Sequence, residues 1–146
     1  MFNNSSPASA LYTTTAVIEL GAGLALLGCP SATVMLLAGA PLETSAALTA
    51  ARVAGTALLT LGVACWLARD DTQSRAARGL IAAMVLYNLG VAVILGVAGI
   101  RSQPVGVALW PAVVLHAAMT VWCIGSLLGG NAAHATNLKP ATTERQ

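Results

Sequence analysis

Residues 79–100 read GLIAAMVLYNLGVAVILGVAGI, twenty-two residues without a charge. A helix that crosses the hydrocarbon of a bilayer needs about 20 predominantly apolar residues. The stretch therefore reads as a membrane span, and its neighbours can be measured against it. Downstream, Val105 to Leu128 is a second span, opened by Gln103-Pro104 and carrying Pro111 near its start, where proline is tolerated. Upstream, Ala47 to Ala68 is another, with Arg52 about a turn and a half inside its start. The first apolar run, Leu11 to Ala40, is longer and contains Cys29-Pro30.

Proline disfavours helical geometry in the residue before it and removes a backbone donor. The first helix is expected to run from about Ala10 to Cys29 and then break or kink. Pro30-Ser31 can restart a short helix through Leu37, stopped by Gly39 and Pro41. The predicted fold is all-α membrane: a four-transmembrane-helix bundle, helices about 10–29, 47–68, 79–100 and 105–128, with a short extra helix or kink after Pro30. Residues 1–9 and 130–146 are polar and lack apolar periodicity, and they read as mobile tails. No basic residue precedes the first apolar run, so a cleavable signal peptide is not expected.

Composition agrees. Of the 146 residues, 57% are hydrophobic and 8% charged, against about 25% charged in a soluble domain. A soluble fold could not cover its surface with so few charges, so the first expected partner is the lipid bilayer. The net charge of +2 and the lack of a basic run argue against nucleic acid. With four spans, both termini and the 69–78 loop share a side that carries Arg69, Arg75, Arg78, Lys139 and Arg145, while the other side has Arg52 and Arg101. The excess of positive charge predicts cytoplasmic termini. Abundant alanine with a single lysine suggests a bacterial inner membrane.

Each span carries one strongly polar side chain: Glu19, Arg52, Asn88 and His116. Ionisable groups at mid-membrane cost about 2.5–3.5 kcal/mol on insertion scales and commonly mark function. Glu19 is either a carboxyl that locks helices together through Asn88 or His116, or a proton- or ligand-binding group. Asn88 reads as an interhelical hydrogen-bonding amide or a direct ligand. His116 falls at a depth similar to Glu19 and Asn88, so it is a satisfied packing group or one half of a Glu19–His116 proton relay. Arg52 is an interface anchor that snorkels to water, or an inward guanidinium that pairs with Glu19 or clamps an anionic headgroup.

The segments around these residues suggest how the helices meet. Ala16, Ala22 and Gly23 share the face of Glu19, and Ala51/Gly55, Ala92/Gly96 and Gly125/Gly129 are small residues four apart. Such pairs let membrane helices approach closely. Thr49, Arg52, Thr56 and Thr60 form a polar stripe on the second span, and Ala112, His116, Thr120 and Cys123 another on the fourth. Both stripes are expected to face inward. Tyr87 and Trp122 read as packing residues, and Cys29, Cys65 and Cys123 as buried thiols acting as small hydrophobes.

No cofactor is predicted. A bis-histidine haem needs two intramembrane histidines, but His134 is in the tail, and Glu19 with His116 gives too few ligands for zinc. No nucleophile motif, phosphate loop or HExxH occurs, so soluble-style catalysis is not expected.

The first-span motif ELGAGLALLG, with Glu19, and the second-span motif ARVAGTALLTLG, with Arg52, resemble small four-helix bacterial membrane proteins of the DoxX-like kind. Some members of that group are linked to membrane redox or thiol chemistry, but this sequence has no paired cysteine motif. The glutamate in the first helix is also similar to that of small multidrug transporters, which work as dimers. Three functions follow as expectations. The first is a membrane accessory or scaffold protein without a catalytic site, partnered by a second copy or another membrane protein. The second is a proton-coupled small-molecule transporter using Glu19 and His116. The third is a quinone- or lipid-binding component of a membrane oxidoreductase.

Overall fold

The computed structural model describes residues 7–102 and 105–137, with side chains as far as residue 129. The described residues are helical, without strands: α1 (Pro7–Gly28), α2 (Pro30–Ala38), α3 (Ser45–Ala68), α4 (Arg75–Arg101) and α5 (Leu109–Asn137). Four of these, α1, α3, α4 and α5 as far as Gly129, are long and apolar enough to cross a membrane.

Pro30 ends α1 and starts α2. Cys29 leaves helical geometry (φ −134°, ψ 59°) and Pro30 occupies the first turn of α2, where its missing donor costs nothing. The Thr33 hydroxyl bonds the carbonyls of Cys29 and Ala25 at 2.9 and 3.1 Å across the break. Gly39, at φ 77°, closes α2 in the left-handed conformation that glycine adopts without strain. Thr44 and Ser74 cap α3 and α4, each accepting from an N–H three residues on at 3.1 Å.

Two boundaries differ from the sequence expectation. The segment 105–108 is not the start of α5, because two of its N–H groups go to α2. Gly106 and Ala108 donate to Leu37 O and Leu36 O at 3.0 and 2.8 Å. At the other end α5 continues to Asn137, so the stretch read as a tail from residue 130 is helical through its first eight residues. Residues 1–6 and 138–146 of the expected tails lie outside the described residues.

Backbones approach most closely within two antiparallel pairs, α1 with α3 and α4 with α5. Glycine makes the first pair possible. A Cβ on Gly23 would lie 2.7 Å from Gly55 O, and one on Gly55 would lie 2.9 Å from Gly23 O. The expected small-residue contacts of α4 and α5 are not of this type, since a Cβ on Gly96, Gly125 or Gly129 meets nothing within 4 Å. The two pairs meet along a seam filled by side chains from all four long helices. Its core contains Leu11, Tyr12, Cys65, Met84, Met119 and Cys123, and Cys65 Sγ lies 3.6 Å from Met84 Sδ. Cys29, expected to be buried, is exposed at the proline break.

The threonine stripe of α3 turns outward, contrary to expectation. Thr49, Arg52, Thr56 and Thr60 are all exposed. Gly55, Gly62 and Cys65 are the buried side of this helix, and the stripe lies well over 90° away around it at about 100° per residue. Close packing of α1 on the glycines takes the inner face. The three hydroxyls are satisfied by carbonyls one turn back, Thr49 to Ser45, Thr56 to Arg52 and Thr60 to Thr56, at 2.9–3.1 Å. The α5 stripe does turn inward, with His116 partly buried and Thr120 and Cys123 buried.

Candidate functional site

The seam brings together three of the four polar residues singled out in the sequence. Glu19 sits on the inner face of α1 and is 3% exposed. Its Oε2 accepts a hydrogen bond from the Tyr87 hydroxyl of α4 at 3.1 Å. Tyr87 also touches α5, where its ring meets His116 edge-on, with centroids 5.7 Å apart and planes at 85°. His116 Nδ1 lies 2.8 Å from Asn88 Oδ1. An amide oxygen can only accept, so a hydrogen bond here is donated by the Nδ1-protonated form of the ring. Asn88 Nδ2 in turn donates to Met84 O at 2.9 Å. Glu19 and His116 are thus joined through Tyr87, by one hydrogen bond and one ring contact.

Consecutive residues on α4 divide the work. A step of one residue turns the helix by about 100°, which lets Tyr87 reach α1 while Asn88 reaches α5. The Tyr12 hydroxyl adds a second bridge between the pairs, donating to Ala77 O. One turn before Glu19, Thr15 is 1% exposed and its buried hydroxyl has no hydrogen-bond partner among the described residues.

Arg52 is not part of this group. It is exposed on the outward face of α3. In antiparallel register it lies beyond the Gly23–Gly55 crossing, at the opposite end from the level of Glu19. The glycine face of α3 has taken the inner side, so the guanidinium cannot enter the seam. Sequence reasoning missed Tyr87. The available signal was its place beside Asn88 at mid-span, where a phenol needs a hydrogen-bond partner as much as an amide does.

The chain matches no protein-family model, no curated protein and no solved structure. None of these comparisons supports the DoxX-like resemblance of the motifs around Glu19 and Arg52. Among the described residues, no three His, Cys, Asp or Glu side chains converge as a metal site would require. What the cluster can do chemically is hold two helix pairs in register, or exchange a proton at the Glu19 carboxyl with the Tyr87 hydroxyl as its neighbour.

Removing that hydroxyl tests the link. Tyr87→Phe keeps the ring against His116 and deletes the bond to Glu19. It should cost about 0.6–1.7 kcal/mol of folding free energy in a bilayer mimic. An unchanged unfolding curve would show that the bond contributes nothing.

Proposed function

We propose that this chain is a multi-pass membrane protein of accessory or scaffolding type, set in a bacterial inner membrane with cytoplasmic termini. Its four long apolar helices support membrane residence. Arg69, Arg75 and Arg78 on one side, against Arg52 and Arg101 on the other, support the orientation. The observation that carries the scaffold reading is the Glu19–Tyr87 hydrogen bond, which ties α1 to α4 across the seam at 3.1 Å. Glu19, Tyr87, Asn88 and His116 all find partners inside the bundle. The costly polar groups are thus used to fix one arrangement of helices, and the partner is a second copy or another membrane protein.

The unpartnered Thr15 hydroxyl beside Glu19 favours one alternative, proton-coupled transport. A buried polar atom without a partner costs about 1–3 kcal/mol, and a transported ligand would offset that cost. Proteoliposomes with an imposed pH gradient separate the two readings, using tetraphenylphosphonium as a cationic probe. The scaffold reading predicts the same uptake in empty liposomes, wild type and Glu19→Gln. Gradient-driven uptake by wild type, abolished in a folded Glu19→Gln variant, would replace it with transport.

A further inference from the structure

A cavity of about 510 Å³ opens at the end of the bundle where α1 begins, the 69–74 loop turns and α5 passes Gly129. Its volume lies in the range of about 300–1,000 Å³ that holds a small-molecule ligand. The lining is divided by chemistry. Arg78, Gln73 and Ser126 supply a guanidinium, an amide and a hydroxyl, while Ile81, Trp122 and Leu127 supply apolar surface. None of the seam residues Glu19, Tyr87, Asn88 or His116 lines it. Arg69 and Arg75 stand at the same end of the bundle, in the loop and at the start of α4, together with Asp70 and Asp71. Arg69 is paired with Asp70 at 3.4 Å, while Arg78 is the charged group that lines the cavity.

We propose that this cavity binds the phosphate headgroup of an anionic phospholipid, with Arg78 on the phosphate and the upper acyl chain against Trp122, Ile81 and Leu127. Three features support it, independently of any role for the seam. The guanidinium fork matches phosphate oxygens bidentately, and neighbouring amide and hydroxyl donors complete a phosphate's demand for hydrogen bonds. The apolar part of the lining would be wasted on free phosphate but suits the first methylenes of a lipid. A pocket between helices that presents a guanidinium near the end of the apolar spans is also the kind of place where anionic headgroups bind, attracted by the positive charge of Arg78. Trp122 lies about two turns inside the end of the α5 span, the depth of the first acyl methylenes.

The test uses the full-length protein, purified and delipidated in neutral detergent. It is titrated with short-chain phosphatidylglycerol, with phosphatidylcholine of the same chain length, and with inorganic phosphate, and binding is read as a saturable rise in Tm. Phosphatidylglycerol should bind at least about tenfold more tightly than the other two. Arg78→Gln should weaken it by about tenfold or more, while Arg75→Gln, an exposed arginine in the same turn, should leave it within about twofold. Gly125→Leu supplies a second variant, because a Cβ there would have no atom within 4 Å and Gly125 lines the cavity. It should block the lipid without unfolding the protein. Equal affinity for the two lipids would overturn the proposal, as would phosphate binding as well as phosphatidylglycerol or equal losses in the two arginine variants. Undiminished binding in both Arg78→Gln and Gly125→Leu would also overturn it.

Discussion

Gly23→Leu is expected to cost about 3 kcal/mol of folding free energy, the upper part of the range for overpacking a closed contact. The side chain would start from a Cβ 2.7 Å from Gly55 O and 2.9 Å from Leu59 N, both backbone atoms that no rotamer change can move. The helices themselves must part. In lipid no hydrophobic force draws helices together, so association depends on close van der Waals contact and interhelical hydrogen bonds. Separating α1 from α3 removes the first of these along the whole crossing and shifts Glu19 relative to Tyr87. Gly21→Leu is the matched control, two residues away on the same helix, where an added Cβ would have no atom within 4 Å. It should leave stability unchanged or slightly higher, because glycine is a poor helix former. Equal effects at the two positions would mean that α1 and α3 do not meet at this face.

Asn88→Leu should be the most damaging change within the polar cluster, at about 1–3 kcal/mol. Leucine approximates the amide in size, so the loss is of hydrogen bonding more than of packing. Asn88 is 2% exposed, and the substitution removes the partner of His116 Nδ1. The partly buried imidazole nitrogen would then be left without that partner. The free-energy penalty belongs largely to that stranded group, so it should shrink when the group is also removed. A double-mutant cycle with His116→Leu is expected to give a coupling energy above about 0.5 kcal/mol, with the second substitution relieving part of the first. Strict additivity would mean that the two residues act independently and that the pair does not fasten α4 to α5.

The sequence made some of these features readable and hid others for identifiable reasons. The long apolar helices were legible because hydrocarbon requires an uninterrupted apolar length, and GLIAAMVLYNLGVAVILGVAGI meets it without help from any neighbour. Pro30 was legible because its effect on the chain is local. Glu19, Asn88 and His116 stood out through the cost of placing them at mid-span. Tyr87 did not, because an aromatic ring is welcome in hydrocarbon whether or not its hydroxyl is bonded.

The orientation of α3 shows where local pattern fails. Its threonines and its glycines both make reasonable inner faces, and the choice depends on which surface α1 can approach most closely. The glycines win because they admit backbone contact, while threonine hydroxyls satisfy themselves on their own helix. The same limit applies to the segment 105–108, where the N–H groups of Gly106 and Ala108 are claimed by α2, a partner about 70 residues away in the chain.

Solid-state NMR of the protein in lipid bilayers, with labelled glutamate and tyrosine, reads out the sheltering of Glu19 in the seam itself. The chain has two tyrosines, and Glu19 is the one glutamate within the apolar spans, so the signals can be assigned with few variants. A through-space cross-peak is expected between the Glu19 carboxyl carbon and the Tyr87 phenol carbon. It should come with contacts from acyl chains to Leu24, Leu86 and Val114, which are exposed on the outside of the bundle. Acyl-chain contacts at the Glu19 carboxyl, with no Tyr87 cross-peak, would contradict a bundle held by this bond.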